Sequence, residues 1–437
     1  MLSNYAKKIY LKKDLYAIFN SLIMEPLFVT FDEADRIFKN KLDEFTEVEV
    51  KQLYEKCILV DSVKQDKMAV KVIKDAIEDN TLNKVTMMYI IPNNNCNLEC
   101  KYCFIGKLNN DPVYMKEETA YNAITKFVSH LKSINAKKGA IIFYGGEPLI
   151  NFEIIKYSVK IIKQQNFPID ISIVTNATLL NESKAEFIKE NNIALGVSID
   201  GPKKMTDEKR VYKGNNDSVY DNVIKKLDML KKCDVQFGLS ITVSEEALKD
   251  KAKLIKWIKD NHFTDINYNP LHYSNVNENW KEYYNSIGNF IFNSNNMLFP
   301  LGISEDRVAR KLRSFYERDF KYSDCGANGG NQITIRPDGD ITICHGYWNI
   351  SKNEIGNIND INFCDIFSSD LYKKWHKNLT VNKSECLKCP AIFICGGGCG
   401  MQSENLFGEV EKLDKPFCKY SKTMLKKILL DLYETNK

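Results

Sequence analysis

Thirteen cysteines stand in this chain of 437 residues, and ten of them fall into two spaced arrays that could do chemistry. The first array is the loop NNNCNLECKYCF, which sets Cys96, Cys100 and Cys103 at C-x3-C-x2-C spacing just behind an apolar run stopped by Pro92. Three thiolates on eight residues can wrap one small centre. Structural zinc normally takes four protein ligands, commonly as paired C-x2-C knuckles, and no fourth ligand lies nearby in sequence. A 4Fe-4S cluster held by three cysteines instead leaves one iron open to a substrate or cofactor, so the loop is catalytic if the metal is iron. The second array begins with Cys325, Gly339 and Cys344 and continues as Cys386-x2-Cys389-x5-Cys395-x3-Cys399, with Cys418 further on. Cys57, Cys233 and Cys364 lie outside both arrays and read as core residues.

The elements that must position these residues fall into three segments, 1–83, 84–300 and 301–437. In the first, LYAIFNSL and PLFVTF read as strands. Asp32 to Asn40 reads as a helix capped by Asp32, and Thr46 to Lys56 as a second with Thr46 and Glu49 at capping-box spacing. Such a unit suits a winged-helix-like recognition module, or an extension that only packs on the next domain. In the middle segment, apolar runs alternate with amphipathic stretches. Strands are expected at Val85 to Ile91, Ala140 to Tyr144, Ile169 to Thr175, Ala194 to Ile199, Val235 to Val243 and Asp265 to Leu271. Helices are expected near Lys116 to Lys132, Phe152 to Gln165, Ser183 to Glu190, Ser218 to Lys232, Glu245 to Asn261 and Trp280 to Ser294. Six β-then-α units imply an α/β fold with parallel strands, a partial (β/α)6 barrel with its active site at the C-terminal strand ends. The last segment holds eight of the thirteen cysteines among turn signals such as RPDGD and closes with an amphipathic helix, Lys419 to Tyr433.

The loop carrying Cys96, Cys100 and Cys103, with the aromatic Tyr102 before the third cysteine, resembles the motif of the radical S-adenosylmethionine (SAM) superfamily. The resemblance continues to Leu271 through GGEP (Gly145, Gly146, Glu147, Pro148), through Thr175 and Asn176, and through SIDGP with Ser198, followed by Arg210. It implies that GGEP holds the methionyl amino group of SAM, with the glycines admitting the ligand and Glu147 offering a carboxylate acceptor. Thr175, Asn176 and Ser198 would meet the ribose or the methionyl carboxylate, and Arg210 suits a carboxylate by its planar fork. Arg210 reads equally as a surface ion pair, and Asp200 as a cap of the turn into Gly201. The implied reaction starts with SAM on the open iron, whose reductive cleavage yields a 5'-deoxyadenosyl radical that removes a hydrogen atom from an unactivated carbon.

The seven-cysteine spacing of the C-terminal array resembles the SPASM domain of radical enzymes that modify peptides and proteins. Carried over by position, Cys386, Cys389, Cys395 and Cys418 would complete one auxiliary 4Fe-4S cluster. Cys325, Cys344 and Cys399 would hold a second, nearer the active site and one cysteine short unless Cys364, which reads rather as core, completes it, for a total of three clusters. A substrate thiolate could fill that place, which favours C–S bond formation. His345, next to Cys344, is placed to take a proton there. Sulfatase-maturing enzymes carry an Asp at the corresponding position, so His345 matches peptide thioether maturases better. Glycines 396–398 and 400 could turn backbone N–H groups toward sulfur.

The reading is a maturase that cross-links a ribosomally made precursor peptide through Cys thioethers, of sactipeptide or ranthipeptide type, with residues 1–83 binding the peptide's leader at a strand edge. The alternatives are a carbon–carbon cross-link, formylglycine formation, or a zinc-organised binding protein without radical chemistry. A flavodoxin- or ferredoxin-type electron donor is implied as a partner. A net charge of +4 gives no reason to invoke nucleic acid, and no apolar run approaches the roughly 18 residues of a membrane span. The odd cysteine count and the lack of an apolar stretch after the first lysines lead us to expect reduced thiols and a cytoplasmic location.

Overall fold

The computed structural model describes residues 1–103, 111–273, 280–320, 322–347 and 353–435. The chain opens with three antiparallel strands, β1 (Ala6–Lys12), β2 (Leu15–Asn20) and β3 (Leu27–Val29), in the order β1-β2-β3. Three helices follow, Phe31–Phe38, Glu47–Glu55 and Val63–Thr81. The alternation of a strand shows in β2: Ile18 joins Ala34, Ile37, Leu53 and Leu59 in a small core of this unit, while Ala17 and Phe19 on the other face join the main core. The unit therefore has its own core and also packs on the rest of the chain. Its first helix is capped by Thr30, one turn-start earlier than the expected Asp32. Thr30 Oγ1 accepts from Glu33 N at 3.3 Å while the Glu33 carboxylate accepts from Thr30 N at 2.7 Å. The capping box expected at Thr46 and Glu49 is present.

Six parallel strands carry the middle of the chain: β4 (Met87–Ile90), β5 (Gly139–Phe143), β6 (Ile169–Thr175), β7 (Ala194–Ser198), β8 (Phe237–Val243) and β9 (Asp265–Pro270). The expected helices follow them, with a further short helix, Lys203–Lys209, after β7 and one break. The stretch from Glu245 breaks into Glu245–Lys249 and Lys251–Asp260, because Asp250 leaves helical geometry (φ −105°, ψ 30°). The sheet also runs on at both edges into the last segment, which the strand pattern did not disclose. A short β10 (Ser304–Glu305) extends it beside β9, and β11 (Gln332–Ile335) pairs in parallel with β4. Antiparallel β12 (Asp340–Thr342) and β13 (Gly356–Asn357) then complete ten strands in the order β10-β9-β8-β7-β6-β5-β4-β11-β12-β13. This is an open, partial (β/α) barrel whose first strand is shared with the cysteine-rich segment. The last helix, Lys415–Thr435, lies along Trp280–Leu298, close enough that a Cβ on Gly288 would sit 3.2 Å from Tyr420 O. Among the described residues no helix is long and apolar enough to cross a membrane.

Candidate active site and cysteine centres

The site is built at the C-terminal ends of β4 to β9, where a half-barrel exposes its strand termini. The loop after β4 carries Cys96, Cys100 and Cys103, and two neighbours hold it. On one side it pairs with the stretch around Arg210: Glu99 N donates to Val211 O at 2.8 Å and Lys101 N to Lys209 O at 2.9 Å. On the other it meets GGEP after β5, where Glu147 N donates to Asn95 O at 2.8 Å. A Cβ on Gly146 would lie 2.0 Å from Asn95 O, so this glycine serves close approach of the two loops, where the sequence suggested approach of a ligand.

Glu147 also differs from expectation. Its buried carboxylate is already engaged by Thr175 Oγ1 at 2.6 Å, Leu149 N at 3.0 Å and Asn176 N at 2.8 Å. It ties GGEP to the end of β6, and Thr175 and Asn176 take part in that tie. Asn176 Nδ2 in turn donates to Asn97 Oδ1 at 2.9 Å and faces Cys96 Sγ at 3.9 Å, which brings the β6 end onto the cysteine loop. Pro148 is buried at the start of the following 3-10 turn. Ser198 ends β7, half-buried, opposite Ser240 of β8.

Arg210 is not a surface ion pair. Its fork grips Asp200, with Nε and Nη2 each 3.0 Å from a carboxylate oxygen, and both side chains are buried. Asp200 does far more than cap a turn, since it also accepts from Tyr102 Oη at 2.5 Å and from Thr242 N at 3.1 Å. The Arg210 guanidinium faces the Tyr102 ring at 5.5 Å, and its charge reaches the Cys100 sulfur. Half-buried Tyr102 and Cys100 thus rest against the buried pair Asp200 and Arg210 at the base of the loop. A carboxylate ending a central parallel strand two residues before Pro202 was the signal for Asp200.

The C-terminal cysteines influence one another electrostatically. Cys386, Cys389, Cys395 and Cys418 lie near enough for their charges to act on one another, as do Cys325, Cys344 and Cys399. Burial pushes Cys96, Cys344 and Cys386 up to about 12 and Cys100 and Cys395 up to about 11, with neighbouring acidic groups adding to the rise at Cys96, Cys344 and Cys386. Thiols held this strongly in the protonated form become thiolates when a metal centre supplies positive charge. Thiols in groups of three, four and three are a soft donor set that suits iron–sulfur clusters. The Gly397 N–H turns to the Cys395 sulfur, as the glycine run suggested. Cys364 corrects its reading as core: it is exposed on a 3-10 turn that buries Phe363 and Ile366, with its sulfur beside Asp365.

Between the first loop and the inner group stand His345, which the sequence pointed to, and Tyr89, Tyr144 and His272, which it did not. His345 stacks on Tyr89 of β4, with centroids 4.5 Å apart and planes at 19°, and meets the edge of Tyr144 at 4.9 Å. Tyr144 directly precedes GGEP and feels both Cys103 and Cys344, so it spans the interval between the two centres. His345 Nδ1 is buried without a hydrogen-bond partner. Burial, and then His272 after β9, lower the His345 pKa to about 4. His272 is likewise lowered to about 4, by burial first and by Arg307 second, and it hydrogen-bonds Gln402.

A half-barrel whose strand ends gather a three-cysteine loop, GGEP and two further thiol groups defines a class of SAM-dependent iron–sulfur enzyme. Residues 90–258 match the model of the radical SAM superfamily, and residues 325–390 match SPASM, an iron–sulfur cluster-binding domain. The chain belongs to the radical SAM superfamily and carries a SPASM domain. An uncharacterized protein of Methanocaldococcus jannaschii is 33% identical over 271 residues, 62% of this chain and 87% of that protein. The radical SAM cyclopropyl synthase TigE of Paramaledivibacter caminithermalis is 25% identical over 374 residues, 80% of this chain and 75% of TigE. A cysteine-type anaerobic sulfatase-maturating enzyme of Clostridium perfringens is 26% identical over 324 residues, 70% of this chain and 85% of the enzyme. Among solved structures, anSMEcpe with bound AdoMet aligns with a TM-score of 0.69 at 22% identity, covering 80% of this chain and 99% of its own. Streptococcus suis SuiB bound to precursor peptide SuiA aligns with a TM-score of 0.56 at 15% identity, covering 96% of this chain and 99% of its own.

Proposed function

We propose that this enzyme cross-links a ribosomally made peptide by joining a Cys sulfur to a carbon of an acceptor residue. The observation that carries the reading is the inner group: three thiols, Cys325, Cys344 and Cys399, face Tyr89, Tyr144 and His345 across from the catalytic loop, with exposed Cys364 standing apart. Three 4Fe-4S clusters fit the ten cysteines, one on the first loop and two in the SPASM domain. SAM bound at the first cluster supplies a 5'-deoxyadenosyl radical, and an external flavodoxin- or ferredoxin-type donor supplies the electron.

The chain's own residues then have distinct tasks. Glu147, Thr175 and Asn176 lock the strand ends that frame the SAM site, so the contacts to SAM from GGEP come from its backbone. Ser198 stands at the next strand end toward the ribose. Asp200 and Arg210 hold Tyr102 and Cys100 in place. The stacked His345 ring keeps an unengaged nitrogen beside the inner group, where a substrate thiol gives up its proton. Residues 1–83 bind the leader, which adds a strand to the outer edge of β3, since among the described residues β3 pairs with β2 alone. SuiB, solved with a precursor peptide, covers 96% of this chain, whereas anSMEcpe covers 80%, and that difference supports a peptide maturase over a sulfatase maturase.

Co-expression with a neighbouring cysteine-rich open reading frame, followed by mass spectrometry, tests the reading. Each thioether removes two mass units and one alkylatable thiol. TigE, a cyclopropyl synthase matching 80% of this chain, favours carbon–carbon bond formation as the second reading, in which the same mass is lost and every thiol is retained. Anaerobically purified protein should be brown, with about twelve iron atoms per chain. Cys96→Ala abolishes SAM cleavage, whereas Cys344→Ala spares cleavage and stops cross-linking; full cross-linking by the latter would remove the inner group from the mechanism.

A further inference from the structure

A buried ammonium lies where the two auxiliary loops meet. Lys311, on the helix Asp306–Tyr316, is 3% exposed. Its Nζ donates to the carbonyl of Ile394, the residue before Cys395, at 2.6 Å, and stands 3.7 Å from a carboxylate oxygen of Asp324, the residue before Cys325. The rings of Phe417 and Tyr420, on either side of Cys418, face the same ammonium at 5.3 and 5.4 Å. One side chain therefore touches the flanks of three array cysteines drawn from both groups.

The two loops are in backbone contact at this point. Asp324 N donates to Gly396 O at 2.8 Å, and a Cβ on Gly396 would lie 2.3 Å from Asp324 N. Arg307, one turn before Lys311, approaches the same Asp324 carboxylate at 3.8 Å. Arg307 and the buried Lys311 thus share the Asp324 carboxylate, so neither cation has that carboxylate to itself beside the sulfurs. Lysine is almost never fully buried unless paired, and the loose, shared contact with Asp324 is a poor reason for burying it. Burial lowers the Lys311 pKa, while Asp324 and the Cys395 sulfur act to raise it. A cluster held by cysteine thiolates is anionic and gains a further negative charge on reduction. A fixed cation in low dielectric favours the reduced form.

We propose that Lys311 sets the reduction potential of both auxiliary clusters, acting on the outer one through the Ile394–Cys395 step and on the inner one through Asp324 and Cys325. This rests on the ligand assignment above, and the test separates the two. The full chain with Cys96, Cys100 and Cys103 changed to Ala isolates the auxiliary signals for an EPR-monitored redox titration at one pH, with iron and sulfide measured on each preparation. Lys311→Met should shift both midpoints to more negative potential, the outer one further. Asp324→Asn, which unmasks Lys311 and Arg307, should shift them the opposite way, and Lys311→Arg should stay near the parent. Opposite signs from substitutions at touching residues are not produced by a packing role. Full iron with unmoved midpoints, or shifts of the same sign, overturns the role of Lys311. If Lys311→Met loses iron, Lys311→Gln takes its place and must move both midpoints to more negative potential. A parent that holds less than two clusters' worth of iron overturns the ligand assignment instead.

Discussion

Cutting the pair Asp200–Arg210 should loosen the catalytic loop, and the structure sets the size of the effect. Both side chains are buried, and the carboxylate takes two bonds from Arg210, one from Tyr102 and one from Thr242 N. Asp200→Asn strands the guanidinium without its counter-charge, and removing one partner of a buried pair costs about 3–5 kcal/mol. At about 1.4 kcal/mol per decade this is a loss of about two to three and a half decades in the equilibrium that keeps the segment closed. The readout is amide hydrogen exchange at Glu99 and Lys101, whose N–H groups bond to Val211 and Lys209 on either side of Arg210. Protection there should fall by roughly a hundredfold or more. Arg210→Met alone buries an unpaired carboxylate and should do similar damage. The double variant removes both charges, so it should recover to within about tenfold of the parent, because an apolar replacement of the pair is close to neutral. SAM cleavage should follow the same order. If the two single effects simply add in the double variant, the pair is not what holds the loop.

Three further outcomes follow from the same contacts. Gly146→Ala places a methyl group against Asn95 O, so it should displace the first loop, cost about four of twelve iron atoms and abolish SAM cleavage while the auxiliary EPR signals persist; unchanged iron would mean that the loops can part at no cost. Burial lowers the pKa of His130, stacked on Phe363 at 4.6 Å, to about 4. The unfolded chain takes up that proton near pH 6.5, so the stability is complete above about 6.5 and is lost as pH falls toward 4, by up to about 3 kcal/mol. His130→Phe should therefore narrow the gap in unfolding temperature between pH 7.5 and 5.5, and an unaltered gap would refute the assignment. A fluorescent leader peptide should bind the full chain and slow hydrogen exchange at Leu27 to Val29; binding that leaves β3 unprotected would move the leader site elsewhere.

What could be read along the chain was what depends on near neighbours. Cysteine spacing is a local property, and so are the apolar runs of β4 to β9, the Thr46 capping box and the glycines of GGEP. The errors arose where distant closure decides. β1, AKKIYLK, hides its alternation because lysines stand on both of its faces, Lys7 with Ile9 and Lys8 with Ala6 and Tyr10, and its link to β2 turns at Lys13 with φ 42°, a position where glycine would have signalled the hairpin. Glu147 offered a carboxylate for a ligand, but three donors from β6 and its own turn reach it first. Arg210 could have paired anywhere on the surface until the end of β7 brought Asp200 beneath it. Cys364 sits among apolar residues, yet the 3-10 turn buries its neighbours and leaves it outside. The pairing of β11 with β4 spans some 240 residues and has no local signature.

That last pairing bears most directly on the chemistry. Had the SPASM segment been joined to the barrel by a linker, the distance from the first loop to the inner thiols would vary with domain motion. Instead β4, which delivers the catalytic loop, is hydrogen-bonded along its length to β11, with Met87 to Ile90 opposite Gln332 to Ile335. β11 leads by a hairpin into β12, and Cys344 follows two residues later. Cys325 enters the same strand from the other end, and Gln332 N returns to Gly326 O at 3.0 Å. Tyr89 of β4 then stacks on His345, so both centres are referenced to one strand. In the proposed cross-linking, a radical formed at one site and a sulfur held at the other would have to meet within a fraction of an ångström for rate and selectivity, and a shared strand suits that precision.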